Sequence, residues 1–584
     1  MKIIHKLNKT IVAKNTKQDP NFLLTNKLGG YCMLASHPHS RYQGIFLFDK
    51  DMYKIIENIS LVNASPVQEI VNEFSSIKRK RKNIQESFFM PYGYDALVYE
   101  LNQPAEIELI LDMRSSYSNP EFGREYKISR SNSKIMIDYK HGSTKLFLAI
   151  KADNLDYEKI EEWVKRDYGS DKARGTLSEK HVFRALKLKA KTVIFSFSRS
   201  RKRAIEEVDD VYKNLTRLKE HQKIYVTKIN TKLTRNPEIR IAKKCCINSL
   251  NKLLVNLKNN RGLFAGLPWF FQFWSRDEII SLKALMLNHQ HREVKEILLK
   301  NLNLIKNGRL LNINMPKAES TNADSIGWLF KRISDCLELF SSKDKEVIKK
   351  KLTAAIKFIN ENYMADSLVY NESKSTWMDT VWDKDTRAGF RIEIQALFLN
   401  MLKLAYQLTK DEKYIDQERG LRILVKERFW NGKILADGLK DFTIRPNIFI
   451  AAYIYPELLS KSEWTLCFKN ILPKLWLKYG GLSTIDKSNP LFCNDYTGES
   501  NQSYHRGDSW FWINNLAALV LKRTNKLKFR SYIDKITQAS VKEILTSGAL
   551  GHHAEISSAS RLESQGCFAQ AWSNAMFVEL IEEL

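Results

Sequence analysis

Two periodicities divide the chain. Up to about residue 230, apolar positions alternate with polar ones, the period-two signature of half-buried strands. The runs Ile45 to Phe48, Glu106 to Met113, Lys145 to Ile150 and Lys191 to Ser198 carry it. In the last, Val193, Phe195 and Phe197 interleave with Thr192, Ile194 and Ser196. Gly, Asn and Ser clusters separate the runs, and such a series predicts an antiparallel sandwich. One helical segment is expected within it, at Tyr157 to Lys165.

After Pro237 the period changes to that of a helix. Ala242, Cys246, Leu250, Leu253, Leu254 and Leu257 fall on one face. Leu329, Ile333, Cys336, Leu337 and Phe340 form a second stripe, and Leu397, Met401, Leu404, Ala405 and Leu408 a third. The stretch Ile394 to Leu408 is apolar on most sides, as a helix buried among others must be. Roughly a dozen such segments, joined by loops rich in Gly, Trp, Asp and Asn, suggest an α/α toroid with a pocket formed by loops at one end.

Length supports this division, because 584 residues exceed what one core organises. The 12 Trp suit core filling and also sugar binding, since pyranose faces stack on flat rings. A net charge of +27 invites a nucleic-acid reading. The basic runs Lys78 to Lys82 and Arg199 with Arg201 to Arg203 lack the interleaved aromatics of a nucleic-acid module, so a solvated, Lys-rich surface is the expectation. The seven Cys are scattered, with no CxxC pair, and Cys245 and Cys246 are adjacent. Together with the lack of a signal peptide or a long apolar run, they point to a reduced, cytoplasmic setting with no membrane partner.

Several loops concentrate Trp, Arg and acids beyond what packing requires. The first is Gly266 to Glu278, where Arg276-Asp277 follows Trp269 and Trp274 and leads into a helix from Glu278 to Leu287. Asp277 there is either a simple N-cap or a functional acid. Next come Thr321-Asn322-Ala323-Asp324, Thr376-Trp377-Met378-Asp379, and Glu393 and Gln395 at the head of the apolar helix. A charge entering a buried helix needs a partner or a task. Arg445-Pro446-Asn447, Ser503 to Trp512, Gly551 to Ile556 and Gly566 to Ser573 complete the series.

In order, these segments resemble the signatures of archaeal and bacterial glycogen debranching enzymes and of the amylo-α-1,6-glucosidase half of the eukaryotic enzyme. The resemblance covers about Asn248 to Leu584. It extends to Thr25 to Tyr31 and Ser40 to Gly44, which look like the family's "TNGLGGY" and "RRYHGLL" pieces. It implies an N-terminal β-sandwich, residues 1–230, followed by an (α/α)6 barrel, residues 231–584. It also implies an inverting hydrolysis of α-1,6-linked glucose in branched α-glucans, with Asp277 as acid and Glu555 as base. Glu393 is the reserve carboxylate. Trp269, Trp274, Arg276, Asp324, Trp377, Asp379, Glu393, Gln395, Arg445, Asn447, His505, Trp510 and Gln570 are the expected substrate-binding residues. No cofactor or metal is expected, and adjacent His552 and His553 suit pocket or loop roles better than chelation.

The physics fits. One protonated carboxyl must donate to the leaving oxygen and one carboxylate must activate water. Asp277 then needs a raised pKa, which Trp269 and Trp274 would favour by desolvation, while Arg276 must face another acid or the substrate. The chain departs from the family at Asp508 and Phe511, at Leu267, and at Lys27, where the family has Gly. Rival readings are another toroid glycosidase (glucoamylase, trehalase or mannosylglycerate-type hydrolase), a non-catalytic glycan-binding protein, and a basic nucleic-acid binder. Branched against linear glucans separate the first, and steep salt dependence would mark the last.

Overall fold

The computed structural model describes residues 1–229, 236–257, 260–315 and 318–584. The expected boundary at 230/231 lies outside the described residues. The chain forms two compact units. One comprises 1–260 with 266–271 and 544–552; the other comprises 261–265, 272–543 and 553–584.

The first unit is built on strands between Lys2 and Ser198. Its spine is the antiparallel pair Ala96–Ser115 and Glu179–Ser198, paired from Ala96 opposite Ser196 to Leu111 opposite Phe183 with register shifts between Glu100 and Ala105 and between Leu109 and Ile110. Neighbouring strands add on in antiparallel fashion, except that Lys2–Leu7 runs parallel to Glu69–Asn72. Alternation explains the burial. Leu97, Tyr99, Leu186, Leu188, Phe195 and Phe197 enter the main core, while Ala96, Val98 and Ile194 point to a second, smaller one.

That second core holds a helix, Arg201–Thr227, which the β-like reading of this half did not anticipate. Ser200 caps it, accepting from the Arg203 backbone N–H. Its buried stripe of Ala204, Val208 and Val211 is thin, so the basic residues around it read as a charge run. The expected helix at Tyr157 to Lys165 is a strand, Tyr157–Asp167, paired with Glu179–Leu188. Its Glu- and Lys-rich composition suits a helix. The open edge of the long strand overrides that preference, helped by cross-strand pairs Lys165–Glu179 and Arg184–Glu162 and by Trp163 against Tyr126 and Phe183.

The basic run at 78–82 is largely neutralised within the sheet. Lys78 pairs with Glu73, Lys80 with Glu69, and Arg79 and Arg81 share Glu86. At Lys27 the backbone is left-handed (φ 63°), which accounts for glycine at the family's equivalent position.

In the second unit two kinds of helix alternate. Ser275–Leu287, Ser325–Ser334, Ile392–Thr409, Asn447–Ile454 and Ala571–Glu583 are buried over most of their length. His291–Asn303, Ser342–Asn362, Glu412–Phe429 and Lys461–Leu475 bury a single stripe, such as Ile348, Leu352, Ala355, Ile356 and Ile359. Fully buried helices form an inner ring and one-faced helices an outer ring, so each hairpin contributes one of each. Within the inner ring, Ala571–Glu583 packs on Ser275–Leu287, followed by Ser325–Ser334, Ile392–Thr409 and Asn447–Ile454. The long helix Phe511–Thr546 breaks at Asn525 and supplies both kinds. The stripe expected through Phe340 is interrupted, since its helix stops at Ser334 and a 3-10 turn follows at Leu337–Leu339.

All seven cysteines are free. Among the described residues no helix is long and apolar enough to cross a membrane.

Candidate active site

An inner ring of like-directed helices brings its N-terminal ends to one face, and the chemistry-bearing side chains sit there. Asp277 lies in the first turn of Ser275–Leu287, Asp324 at the N-cap of Ser325–Ser334, and Glu393 in the first turn of Ile392–Thr409. Asn447 begins its helix, Trp510 directly precedes Phe511, and Gln570 is the N-cap of the last helix. Asp277 is no capping residue. The N-cap is Trp274, and no side chain caps this end.

Asp277 is 7% exposed and accepts a 3.0 Å hydrogen bond at Oδ1 from Gln570 Nε2. Burial raises its pKa to about 7; Arg276 opposes the rise, and the charges of Glu555 and Asp379 add to it. The neighbouring guanidinium is engaged elsewhere. Arg276 Nε lies 3.0 and 2.9 Å from the two carboxylate oxygens of Asp324, and Nη1 is 3.4 Å from Asp379. Asp324 also accepts from the Trp377 backbone N–H. Asp379 keeps 42% of its side chain open to solvent, yet the surrounding protein desolvates it enough to raise its pKa.

Glu555 is reached through a loop that doubles back. Its backbone N–H donates to Cys567 O, and Ile556 pairs with Gln565. The return strand brings Gln570 beside His553, whose carbonyl accepts from the Gln570 N–H at 2.9 Å. The Glu555 carboxylate is 2% exposed. It accepts from the Tyr504 hydroxyl at one oxygen and from the Cys567 N–H, at 2.8 Å, at the other. Tyr504 and Cys567 were not among the expected site residues, although both lie inside the segments that drew attention.

Gly566 sits against this carboxylate with φ 65°, and a Cβ there would collide with Glu555. Gly566→Ala should displace Glu555 and lower kcat about 100-fold while costing about 1 kcal/mol of stability. Steady-state kinetics and thermal melts of the variant check both.

Trp377, His505 and Trp510 form one aromatic block. The His505 and Trp510 rings stack at 5.2 Å, and Trp377 meets each edge-on. Trp512 and Trp572 extend the block, stacked at 4.8 Å. Burial with Arg506 and Arg445 nearby holds His505 neutral, far below the ordinary imidazole pKa. Among the described residues, His505 Nε2 and Gln570 Oε1 are buried without a hydrogen-bond partner. Native interiors rarely tolerate such atoms unless water or ligand meets them.

Other expected residues are structural neighbours of this face. The Trp377 indole N–H donates to Asn447 Oδ1 at 2.7 Å, and Asn447 Nδ2 donates to Asp437. Arg445 pairs with Asp385 at 2.8 Å and donates to the His505 carbonyl. Glu393 is fully engaged with Arg387, which also pairs with Asp437. The Gln395 amide is bonded on both sides to the Val369 backbone. Trp274 donates to Gln272. Trp269 belongs to the sheet unit, where the Arg174 guanidinium lies 4.1 Å from its ring centre and Tyr42 meets it edge-on. Arg387, Asp385 and Asp437 carry no sequence signal, since they fall in loops with no motif.

The departures fit locally. Asp508 is buried, which pushes its pKa up to about 7, with Ser503 Oγ donating to it at 2.6 Å. Phe511 packs on His553. His553 bonds to Glu543, and His552 to Ser249 in the sheet unit, so neither histidine is offered to a ligand.

A family model described as amylo-alpha-1,6-glucosidase matches residues 242–579. None of the curated proteins matches the chain in sequence. Among solved structures, a bacterial glucoamylase complexed with acarbose is similar in fold. Its TM-score is 0.61 at 12% identity, covering 100% of this chain and 97% of that one.

Proposed function

The chain belongs to the amylo-alpha-1,6-glucosidase family, and from that premise we propose that it is an inverting glycoside hydrolase releasing α-1,6-linked glucose from branched α-glucans. The observation that carries the reading is the unlike pair of carboxyls. Asp277 holds its proton to about pH 7, while Glu555 receives two donors, Tyr504 and the Cys567 N–H. Those donors hold both Glu555 oxygens in place as acceptors.

Asp277 protonates the glycosidic oxygen as the bond to C1 breaks. Glu555 takes a proton from water, whose oxygen attacks C1 from the opposite face. The proton count closes, because Asp277 loses what Glu555 gains. An inverting pair of this kind stands about 6.5–9.5 Å apart, room for that water. Arg276 orders Asp324 and Asp379 as acceptors for glucose hydroxyls. Gln570 and His505 offer their unpartnered atoms as further polar contacts, and the Trp block gives the pocket a rigid apolar back.

Because the acid must be protonated, kcat/KM should fall about tenfold per pH unit above roughly 7. A pH profile on a limit dextrin tests this; a flat profile from pH 7 to 9 would remove Asp277 from the role. The whole-chain likeness to a glucoamylase favours one second reading, glucose release from linear chain ends. Maltooligosaccharides assayed beside isomaltose and limit dextrin separate the two.

A further inference from the structure

A second cluster of chemistry-bearing groups lies in the sheet unit. His37 Nδ1 is 3.2 Å and His39 Nε2 2.8 Å from the same oxygen of Asp19, and the three donor atoms all fall within 4.8 Å of one another. Tetrahedral ligand atoms around a zinc ion at about 2.0–2.1 Å stand about 3.3 Å apart, so both His–Asp separations are already near the spacing a bound ion imposes. Two imidazoles and a carboxylate, with a fourth position left to solvent, form a donor set suited to Zn2+.

The ligands are held from behind. The other Asp19 oxygen accepts from the Ser36 N–H at 3.1 Å. The backbone N–H groups of His39 and Ser40 both donate to Gln43 Oε1, and Gln43 in turn donates to Asn21, two residues beyond Asp19. The His39 carbonyl accepts from Ser170, while Asp171 binds Ser40 and the Arg41 N–H. His37 is 69% open at its side chain and His39 27%, so an ion reaches them from solvent. Sequence gives little warning, because Asp19 lies far before the His-Pro-His run and no short motif joins them.

We propose that Asp19, His37 and His39 form a binding site for a transition-metal dication, with Zn2+ the best fit, which pins the 36–43 loop to the segment entering the strand at Phe22. The site is independent of the hydrolytic carboxylates.

The test is calorimetric titration of the full chain, freed of metal by chelator, with ZnCl2 and separately with MgCl2. The proposal expects one saturable Zn2+ site, no response to Mg2+, and a melting temperature that rises with Zn2+. His37→Ala and His39→Ala should each weaken Zn2+ binding more than about tenfold, and Asp19→Asn likewise. His37 is exposed enough that its loss leaves the fold intact, and circular dichroism of each variant verifies this. His291→Ala, in a second His-x-His pair, should leave binding unchanged. Absence of saturable Zn2+ binding, or binding that survives His37→Ala and His39→Ala, overturns the proposal.

Discussion

Asp277→Asn and Glu555→Gln are each expected to lower glucose release from a branched limit dextrin by about 10²–10⁴-fold in kcat, with little change in KM. The two losses arise differently. Asparagine at 277 keeps the bond from Gln570 but has no proton of suitable acidity for the leaving oxygen. Glutamine at 555 still accepts from Tyr504 but cannot take a proton from water. The variants also differ in stability. Asp277 has a raised pKa in the folded chain, so between its ordinary value, 3.8, and about 7 the folded state binds the extra proton. Stability contributed by that proton is full below the lower value and is lost as pH rises to about 7. Asparagine carries no such loss. At pH 8, Asp277→Asn should therefore melt no lower than the parent, which denaturation by urea would verify. An inactive variant that is also unfolded would not count as evidence for the acid.

The second large effect concerns Glu393. It lies at the head of an inner-ring helix, as Asp277 does, and carries a raised pKa from burial, opposed by Arg387 and reinforced by Asp437. Its oxygens face Arg387 at 2.9 and 3.4 Å. Arg387 also reaches Asp437 at 3.1 Å and donates to Thr376. This is a buried charge network at the head of that helix. Arg387→Met would leave two buried carboxylates short of their main counter-charge, which costs about 3–5 kcal/mol. Glu393→Gln keeps the shape and one acceptor, so its kcat should stay within about tenfold of the parent while its melting temperature falls. A loss of activity in Glu393→Gln as deep as in Glu555→Gln, in a chain that melts normally, would make Glu393 a reacting group.

Much of the helical unit was legible because burial leaves a pattern. Ile392–Thr409 is apolar on most sides, and Ser342–Asn362 shows one stripe, so inner and outer helices differ in composition. The strands of Ala96–Ser115 and Glu179–Ser198 showed their alternation in the same way. What escaped was decided by neighbours remote in sequence. Tyr157–Asp167 has helix-forming composition, but it meets an unpaired strand edge. Arg201–Thr227 shows little apolar surface, because it covers only a small secondary core.

The site divides along similar lines. Asp277 stood out as an acid just after two Trp residues at a helix start. The structure excludes the N-cap alternative by placing it third in the helix, after the Trp274 N-cap, with Gln570 on its carboxyl. Glu393 was visible as a charge entering an apolar helix, and its need for a partner was readable. The identity of that partner was not, because Arg387 and Asp437 meet it from loops without pattern. Tyr504 and Gly566 were in view, but what each does depends on the loop that folds Glu555 back against Cys567. That contact spans residues whose separation carries no period.

The most direct test of the central claim is the anomer first released when the protein acts on a branched limit dextrin, followed by proton NMR before mutarotation. An Asp277–Glu555 pair working through a water on the opposite face predicts β-glucose as the first product. If α-glucose appears first, the bond is cleaved with retention, and an acid–base pair acting through water in a single displacement is contradicted.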